Sequence, residues 1–198
     1  MNYESELTGG HPNSLGNTIK VVEHVIVKKN RINSLIKCYS STDQIVRLRT
    51  SNAFKRIFRQ KPEWFLDFKH IFLNKISKIK QSSTQWTCAQ LFSELVNQLE
   101  NKEQKKAKKI VSDYLNNSSD WIVLCQSMNA LITFNKIDNK TIKENIRIIK
   151  KLPRAKGFAS ISYPGENKAK RFSKNSKKKI NLPREIEKDL ERLISASS

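Results

Sequence analysis

One pattern of apolar residues occurs three times in this chain, at a spacing of about forty residues. Residues 43–57 read DQIVRLRTSNAFKRI, residues 81–95 read QSSTQWTCAQLFSEL, and residues 120–134 read DWIVLCQSMNALITF. A fixed period of this length is typical of one helical hairpin stacked on copies of itself, because a single hairpin cannot bury its apolar side alone. Offsets of 38 and 39 residues align the columns Val46/Thr84/Val123, Ala53/Leu91/Ala130, Phe54/Phe92/Leu131 and Ile57/Leu95/Phe134.

The period covers both helices of the hairpin. Cys38, Ile76 and Leu115 each precede a predicted turn between helices and follow the same two offsets. A long four-helix bundle also has amphipathic helices, but it has no reason to keep an equal repeat. The sequence therefore predicts an all-α fold, an α-α superhelix of antiparallel helix pairs with about eight core helices.

Turn and capping residues divide the chain into four regions. Residues 1–16 are rich in Gly, Asn and Ser and predict a flexible leader, and residues 17–152 carry the helical periodicity. Residues 153–182 predict a basic disordered linker, and residues 183–198 a short amphipathic helix with a tail. That last helix either caps the stack or pairs with a partner in trans.

Composition narrows the class of protein. The first residues lack the basic start and apolar run of a signal peptide, and no apolar stretch approaches the roughly 20 residues that span a bilayer. We therefore expect a cytoplasmic protein without membrane contact.

Cys38, Cys88 and Cys125 lie in apolar helical stretches, where reduced thiols pack as small hydrophobic groups.

The repeated residues resemble HEAT repeats, the paired helices of armadillo-type superhelices. Residues 46–65, 84–92 and 127–134 are similar to segments of small bacterial HEAT-repeat proteins that have no assigned activity. The resemblance implies a polar ladder between adjacent units, with a structural role for Asp43 and Arg47. The second unit has Gln81 and Gln85 at the matching positions, and the third keeps Asp120 but has Leu124, so we expect the ladder to be incomplete.

The chain is strongly basic, with 38 Lys and Arg against 18 Asp and Glu. A net charge of +20 attracts polyanions and raises encounter rates. We predict partner contacts in an exposed stripe on the helix after Asp43 and in a basic arm. The predicted residues are Arg49, Lys55, Arg56, Arg59, Lys168, Lys170, Arg171, Lys174, Lys177, Lys178 and Lys179.

A third group of cations, Lys102, Lys105, Lys106, Lys108 and Lys109, falls at the start of a predicted helix. Cations there oppose the helix dipole, which favours a functional cause for them over a purely structural one. The alternative for every basic group in this chain is a solvated surface.

No motif for catalysis occurs in the sequence. It has no Gly-rich phosphate loop, no HExxH, no GxSxG and no paired Cys cluster. We therefore expect no enzyme activity, no cofactor and no small-molecule substrate. The leading hypothesis is a HEAT-repeat scaffold that binds an acidic protein or a nucleic acid, and the alternative is a sequence-independent DNA-binding or DNA-repair protein of HEAT-like fold.

Overall fold

A computed structural model of the chain describes residues 1–11 and 13–134. All regular secondary structure in this described part is helical, which confirms the all-α prediction for these residues. The predicted core helix over 138–152, the basic linker and the amphipathic C-terminal helix lie outside it. The α-helices are α1 (Tyr3–Leu7), α2 (Thr18–Ile26), α3 (Ile32–Lys37), α4 (Gln44–Gln60), α5 (Phe65–Asn74), α6 (Ser82–Glu94), α7 (Asn101–Asn117) and α8 (Trp121–Thr133).

From α4 to α8 the helices alternate between two layers. In the first layer α2, α4, α6 and α8 pack side by side in chain order. In the other layer α5 packs against α7, and α7 also packs against α6 and α8. Each of the pairs α5/α6 and α7/α8 therefore places one helix in each layer, as the repeat predicts.

Polar contacts show that helices of the same layer run parallel. Arg47 near the start of α4 bonds to Gln81 just before α6, and Arg59 near the end of α4 bonds to Glu94 at the end of α6. Lys69 of α5 bonds to Glu103 of α7, 34 positions further along the chain. Because about one repeat period separates the partners, equivalent parts of successive units lie next to each other.

The repeated apolar columns form the core. Phe54, Phe92 and Leu131 are fully buried at equivalent places, and so are the Val46/Thr84/Val123 and Ala53/Leu91/Ala130 columns. The Cys38/Ile76/Leu115 column from the first helix of each pair is also buried. Burial of this kind stabilises each hairpin by about 25 cal/mol per Å² of apolar surface, so successive pairs depend on each other.

Aromatic rings concentrate where α4 meets α5. The Phe72 ring lies 5.3 Å from Phe54, 5.6 Å from Phe58 and 5.8 Å from Phe65, measured between ring centroids. Tyr39 packs edge-on to it at 6.4 Å. Four neighbouring rings therefore surround Phe72, which is itself fully buried.

The N-terminal residues differ from the predicted flexible leader. Residues 3–7 form α1, which packs on α2 and α4, and Tyr3 and Leu7 are buried. Tyr3 Oη lies 2.9 Å from His24 Nδ1, and Glu6 forms an ion pair with Lys20 at 2.9 Å. The prediction was wrong here because these contacts join residues that are distant in sequence, whereas the Gly and Asn content describes only local preference.

The three cysteines are buried as predicted. Burial raises the pKa of the Cys38 thiol to about 11 and those of Cys88 and Cys125 to about 12. An ordinary thiol has a pKa of about 8.5, and only the thiolate is nucleophilic. The folded chain therefore holds these thiols in their unreactive form at neutral pH.

We expect native protein at pH 8 to react with a chromogenic disulfide reagent at least about a hundredfold more slowly than urea-unfolded protein, since so little thiolate is present. Because burial disfavours the thiolate, the folded state should lose stability as the pH rises from about 8.5, the ordinary thiol pKa, towards the folded pKa values. Absorbance stopped-flow measurements check the reaction rates, and urea denaturation at a series of pH values checks the loss of stability. A thiol that reacts in native protein as fast as in urea would contradict the burial.

Candidate binding surfaces

Arg49, one of the predicted partner contacts, lies in the interior. Only 1% of its surface is exposed. Its guanidinium donates to five backbone carbonyl oxygens of the N-terminal segment: those of Leu7, Thr8, Gly9, His11 and Ser14, at 2.6 to 3.3 Å. The prediction of an exposed position was wrong, because this buried cation is satisfied by carbonyl dipoles that the helical spacing does not reveal.

The N-terminal segment that contacts Arg49 has glycines whose backbone conformation lets it lie close to the guanidinium. Gly9, Gly10 and Gly16 have φ values of 72°, 72° and 49°. A Cβ at Gly16 would lie 2.7 Å from Arg49 Cζ. The positive φ and the closeness both call for glycine, so Gly16 and Arg49 form one anchor that holds the N-terminal segment on α4.

The other cations predicted on α4 lie near its C-terminal end. Arg59 donates two hydrogen bonds to the Glu94 carboxylate, and this pairing raises the pKa of Arg59. Lys55 is half-buried, and burial together with the Arg59 charge lowers the pKa of its ammonium group. Arg56 is exposed. Of the predicted α4 contacts, Arg56 thus remains the best placed for a partner, whereas the predicted arm residues lie outside the described part.

Asp43 and Arg47, the two residues expected to form a polar ladder, make their contacts at the start of α4. The Asp43 carboxylate accepts from Ile45 N–H at 2.7 Å, which caps α4 and lowers the pKa of Asp43. Arg47 Nε donates to Gln81 Oε1 at 2.6 Å, and Gln81 is the residue aligned with Asp43 in the next unit. Asp120 caps α8 in the same way as Asp43 caps α4, through Ile122 N–H at 2.9 Å. An amide thus replaces the acidic partner between the first two units.

Positive charge is unevenly divided between the layers. α6 and α8 contain no Lys or Arg. The predicted basic stripe on α4 therefore has no counterpart on α6 or α8, and most of the exposed lysines in the described part of the chain belong to the other layer. We name as the lysine face the exposed residues Lys75, Lys78, Lys102, Lys105, Lys106 and Lys109.

The lysines of the lysine face are held in position by helix α7 and by the contacts between α7 and α5. Glu100 and Glu103 form a capping box that starts α7. Lys106 hydrogen-bonds to Asn74, the residue that precedes Lys75, so the two helices bring their cations together. Lys69 bonds to Glu103 at 2.6 Å and lies 3.8 Å from Glu100, so both carboxylates at the start of α7 are paired with this cation of α5. The lysine face consequently keeps its positive charge.

The α4–α6–α8 layer carries a different repeated feature, which the sequence analysis missed. Asn52, Gln90 and Asn129 follow the offsets of 38 and 39 residues and are all half-exposed. The signal was present in the alignment, but the prediction used only its apolar columns. We name these three residues the carboxamide column.

Several buried polar atoms in α6 and α8 have no hydrogen-bond partner among the described residues. They are Thr84 Oγ1, Thr87 Oγ1, Gln90 Oε1 and Ser127 Oγ. An unsatisfied buried polar group costs about 1–3 kcal/mol. Gln90 is the member of this set that also belongs to the half-exposed carboxamide column.

Among the described residues, no group of three or more His, Cys, Asp and Glu side chains is placed to hold a metal ion. None of the helices within residues 1–134 is both long and apolar enough to cross a membrane. Comparison of the chain with protein-family models, with curated proteins and with solved structures finds no match.

Proposed function

We propose that this chain is a non-catalytic scaffold of HEAT type that binds an acidic macromolecule through its lysine face. In this proposal the helix pairs continue into a superhelix, and the polar contact of Arg47 with the next unit serves as part of its ladder. The observation that carries the proposal is the concentration of exposed lysines on the α5–α7 layer, while α6 and α8 of the other layer have none.

The spacing of these lysines suits a polyanion. Lys102, Lys105 and Lys109 share one side of α7 and span about 10 Å along its axis at 1.5 Å per residue. Lys75 directly follows the adjacent helix α5, and Lys78 ends the short 3₁₀ helix Ile76–Lys78 after it. Packed helices such as α5 and α7 lie about 8–10 Å apart. These separations are comparable to the Debye length of about 8 Å at physiological salt, so the charges act together on a bound anion.

A nucleic acid is the second candidate partner, and one feature favours it over an acidic protein. Lysine ammonium groups bind phosphates as point charges without reading base edges, which matches a sequence-independent interaction. On this alternative the chain binds duplex or single-stranded DNA in a non-catalytic role or as part of DNA repair.

We expect a K102E/K105E/K109E variant to lose at least about tenfold in affinity for a polyanion, because three attractive charges become repulsive. Fluorescence anisotropy against salt concentration, with duplex DNA, single-stranded DNA and poly-glutamate as probes, measures the affinity. For duplex DNA the slope of log K against log salt falls in magnitude by about 0.9 for each phosphate that the variant no longer neutralises.

The matched control is K28E/K37E/K61E, which makes the same charge change at three exposed lysines outside the lysine face. Equal losses in both variants would mean that net charge alone drives binding and would contradict the proposed surface. Tight binding to poly-glutamate with weak binding to DNA would identify an acidic protein as the partner class. No binding to any probe at low salt would overturn the proposal.

A further inference from the structure

Exposed apolar side chains collect along one side of α2. Leu15, Ile19 and Val27 are exposed over 37%, 41% and 77% of their surfaces, and Ile26, between the last two in sequence, is half-exposed. Ile19 and Ile26 are seven positions apart and so share one side of the helix, and Leu15 comes four positions before Ile19. We name Leu15, Ile19, Ile26 and Val27 the α2 edge.

The helices that pack on α2 leave this edge uncovered. The buried side of α2 packs on α4, and α1 covers a second side, where it contacts Lys20 and His24. At roughly 100° per residue, Lys20 and His24 lie about 100° or more around the helix from Ile19 and Ile26. The end of a helical stack ordinarily has a polar outer face. Within residues 1–134 the α2 end of the layer instead presents apolar side chains.

The charge of the chain limits how two copies could meet at this edge. The whole chain contains 38 Lys and Arg against 18 Asp and Glu, whereas residues 1–27 contain three Glu and one Lys. Two copies of so basic a protein repel each other over most of their surfaces. The repulsion is smallest where both copies present the N-terminal part, which is the part that carries the α2 edge.

The charged residues beside the α2 edge are complementary to themselves. Lys20 and Glu23 are both exposed, three positions apart, and Lys20 keeps 58% of its side chain exposed although it pairs with Glu6. In a twofold contact the same surface meets itself, so residue i contacts residue j and j contacts i. Antiparallel α2 helices related by an axis level with the Val21–Val22 bond bring Lys20 of each copy beside Glu23 of the other.

The same register fits the apolar side chains together. Around this axis Ile26 of one copy is level with Asn17 of the other, midway between Leu15 and Ile19 along the helix. Each Ile26 therefore packs between two apolar side chains of the other copy, as a ridge packs into a groove between helices. Charge pairing and apolar packing favour one and the same arrangement.

We propose that the α2 edge is a self-association surface, through which two copies of this chain pair about a twofold axis with their α2 helices antiparallel. Removal of apolar surface from water drives the pairing, and the two contacts between Lys20 and Glu23 fix its register.

Sedimentation equilibrium of the full chain over about 0.01–0.5 mM tests this pairing, and we expect a reversible monomer–dimer equilibrium with dimer evident by about 0.1 mM. The association should strengthen as salt rises from about 0.15 M to about 0.5 M, because salt screens the repulsion between two basic copies. Binding of a polyanion by the lysine face weakens over the same range. The two interactions are therefore distinguishable, and failure of one leaves the test of the other intact.

Variants of the full chain locate the surface. I19E/V27E places two carboxylates of each copy in the paired edge and should weaken association by at least about tenfold. The matched control N97E/N116E makes the same change in net charge at two exposed positions on other helices and should stay within about twofold. Circular dichroism monitors folding in each case.

A second pair of variants tests the antiparallel register. E23K makes both contacts with Lys20 repulsive and should weaken association by at least about threefold. E4K is its control, because it makes the same charge change at an exposed position of α1.

Monomer alone at every concentration and salt would overturn the inference, as would unchanged association of folded I19E/V27E. Assemblies larger than a dimer would contradict the twofold arrangement. Equal effects of E23K and E4K would contradict the register.

Discussion

Replacement of Phe72 by alanine is expected to lower the free energy of unfolding by about 3–5 kcal/mol, the usual cost of removing a buried phenylalanine side chain. The loss falls at the upper end because the ring contacts Phe54, Phe58, Phe65 and Tyr39, and each aromatic pair contributes about 0.5–1.5 kcal/mol beyond area burial. The rings come from both helices that flank the α4–α5 turn, so the cavity would separate two units.

Urea denaturation followed by circular dichroism measures this loss, read from the shift in midpoint at constant slope. Leu66→Ala is the matched control, because Leu66 is on the same helix with 45% of its surface exposed, and we expect it to cost less than about 1 kcal/mol. A Phe72→Ala loss as small as that of the control would mean that the ring cluster does not hold the units together.

Replacement of Arg49 by methionine is expected to cost about 3 kcal/mol or more, because several carbonyl oxygens lose their donor and an unsatisfied buried polar group costs about 1–3 kcal/mol. The substitution keeps the apolar stem but leaves five backbone carbonyl oxygens without their donor. Arg49→Lys should recover only part of the loss, because a single ammonium cannot reproduce the planar fork of donors.

The same denaturation experiment measures the effect, and limited proteolysis reports whether residues 8–16 become accessible. Arg56→Met, about two helical turns further along α4 at an exposed position, is the control and should change stability by less than about 0.5 kcal/mol. If Arg49→Met were as stable as Arg56→Met, the N-terminal segment would be held by α1 packing alone and the anchor would be unnecessary.

The helical class and the core were predictable from the sequence because both follow from apolar periodicity. Phe54, Phe92 and Leu131 repeat at a fixed spacing, and only their burial at equivalent places satisfies that spacing. The start of α4 could also be predicted from the local sequence, because Asp43 is a strong helix cap. The Glu100–Glu103 capping box marks the start of α7 in the same local way.

The binding surfaces were less predictable, because they depend on contacts between distant residues. Arg49 shares helical spacing with exposed cations, and only the carbonyls of an N-terminal segment some 35 to 42 positions away place it inside. The lysine face likewise depends on α7 packing beside α5, through contacts such as Lys106 with Asn74. Periodicity assigns a residue to one side of a helix, but it does not show what covers that side.

The distribution of thiols has a practical consequence. Cys38 lies at the end of α3 and so belongs to the α3/α4 pair, Cys88 to the α5/α6 pair and Cys125 to the α7/α8 pair, and each is buried. Each helix pair thus contains one natural chemical reporter that becomes accessible when that pair opens. Labelling of native protein under mild conditions, resolved by peptide mass, would rank the pairs by local opening free energy without any engineered probe.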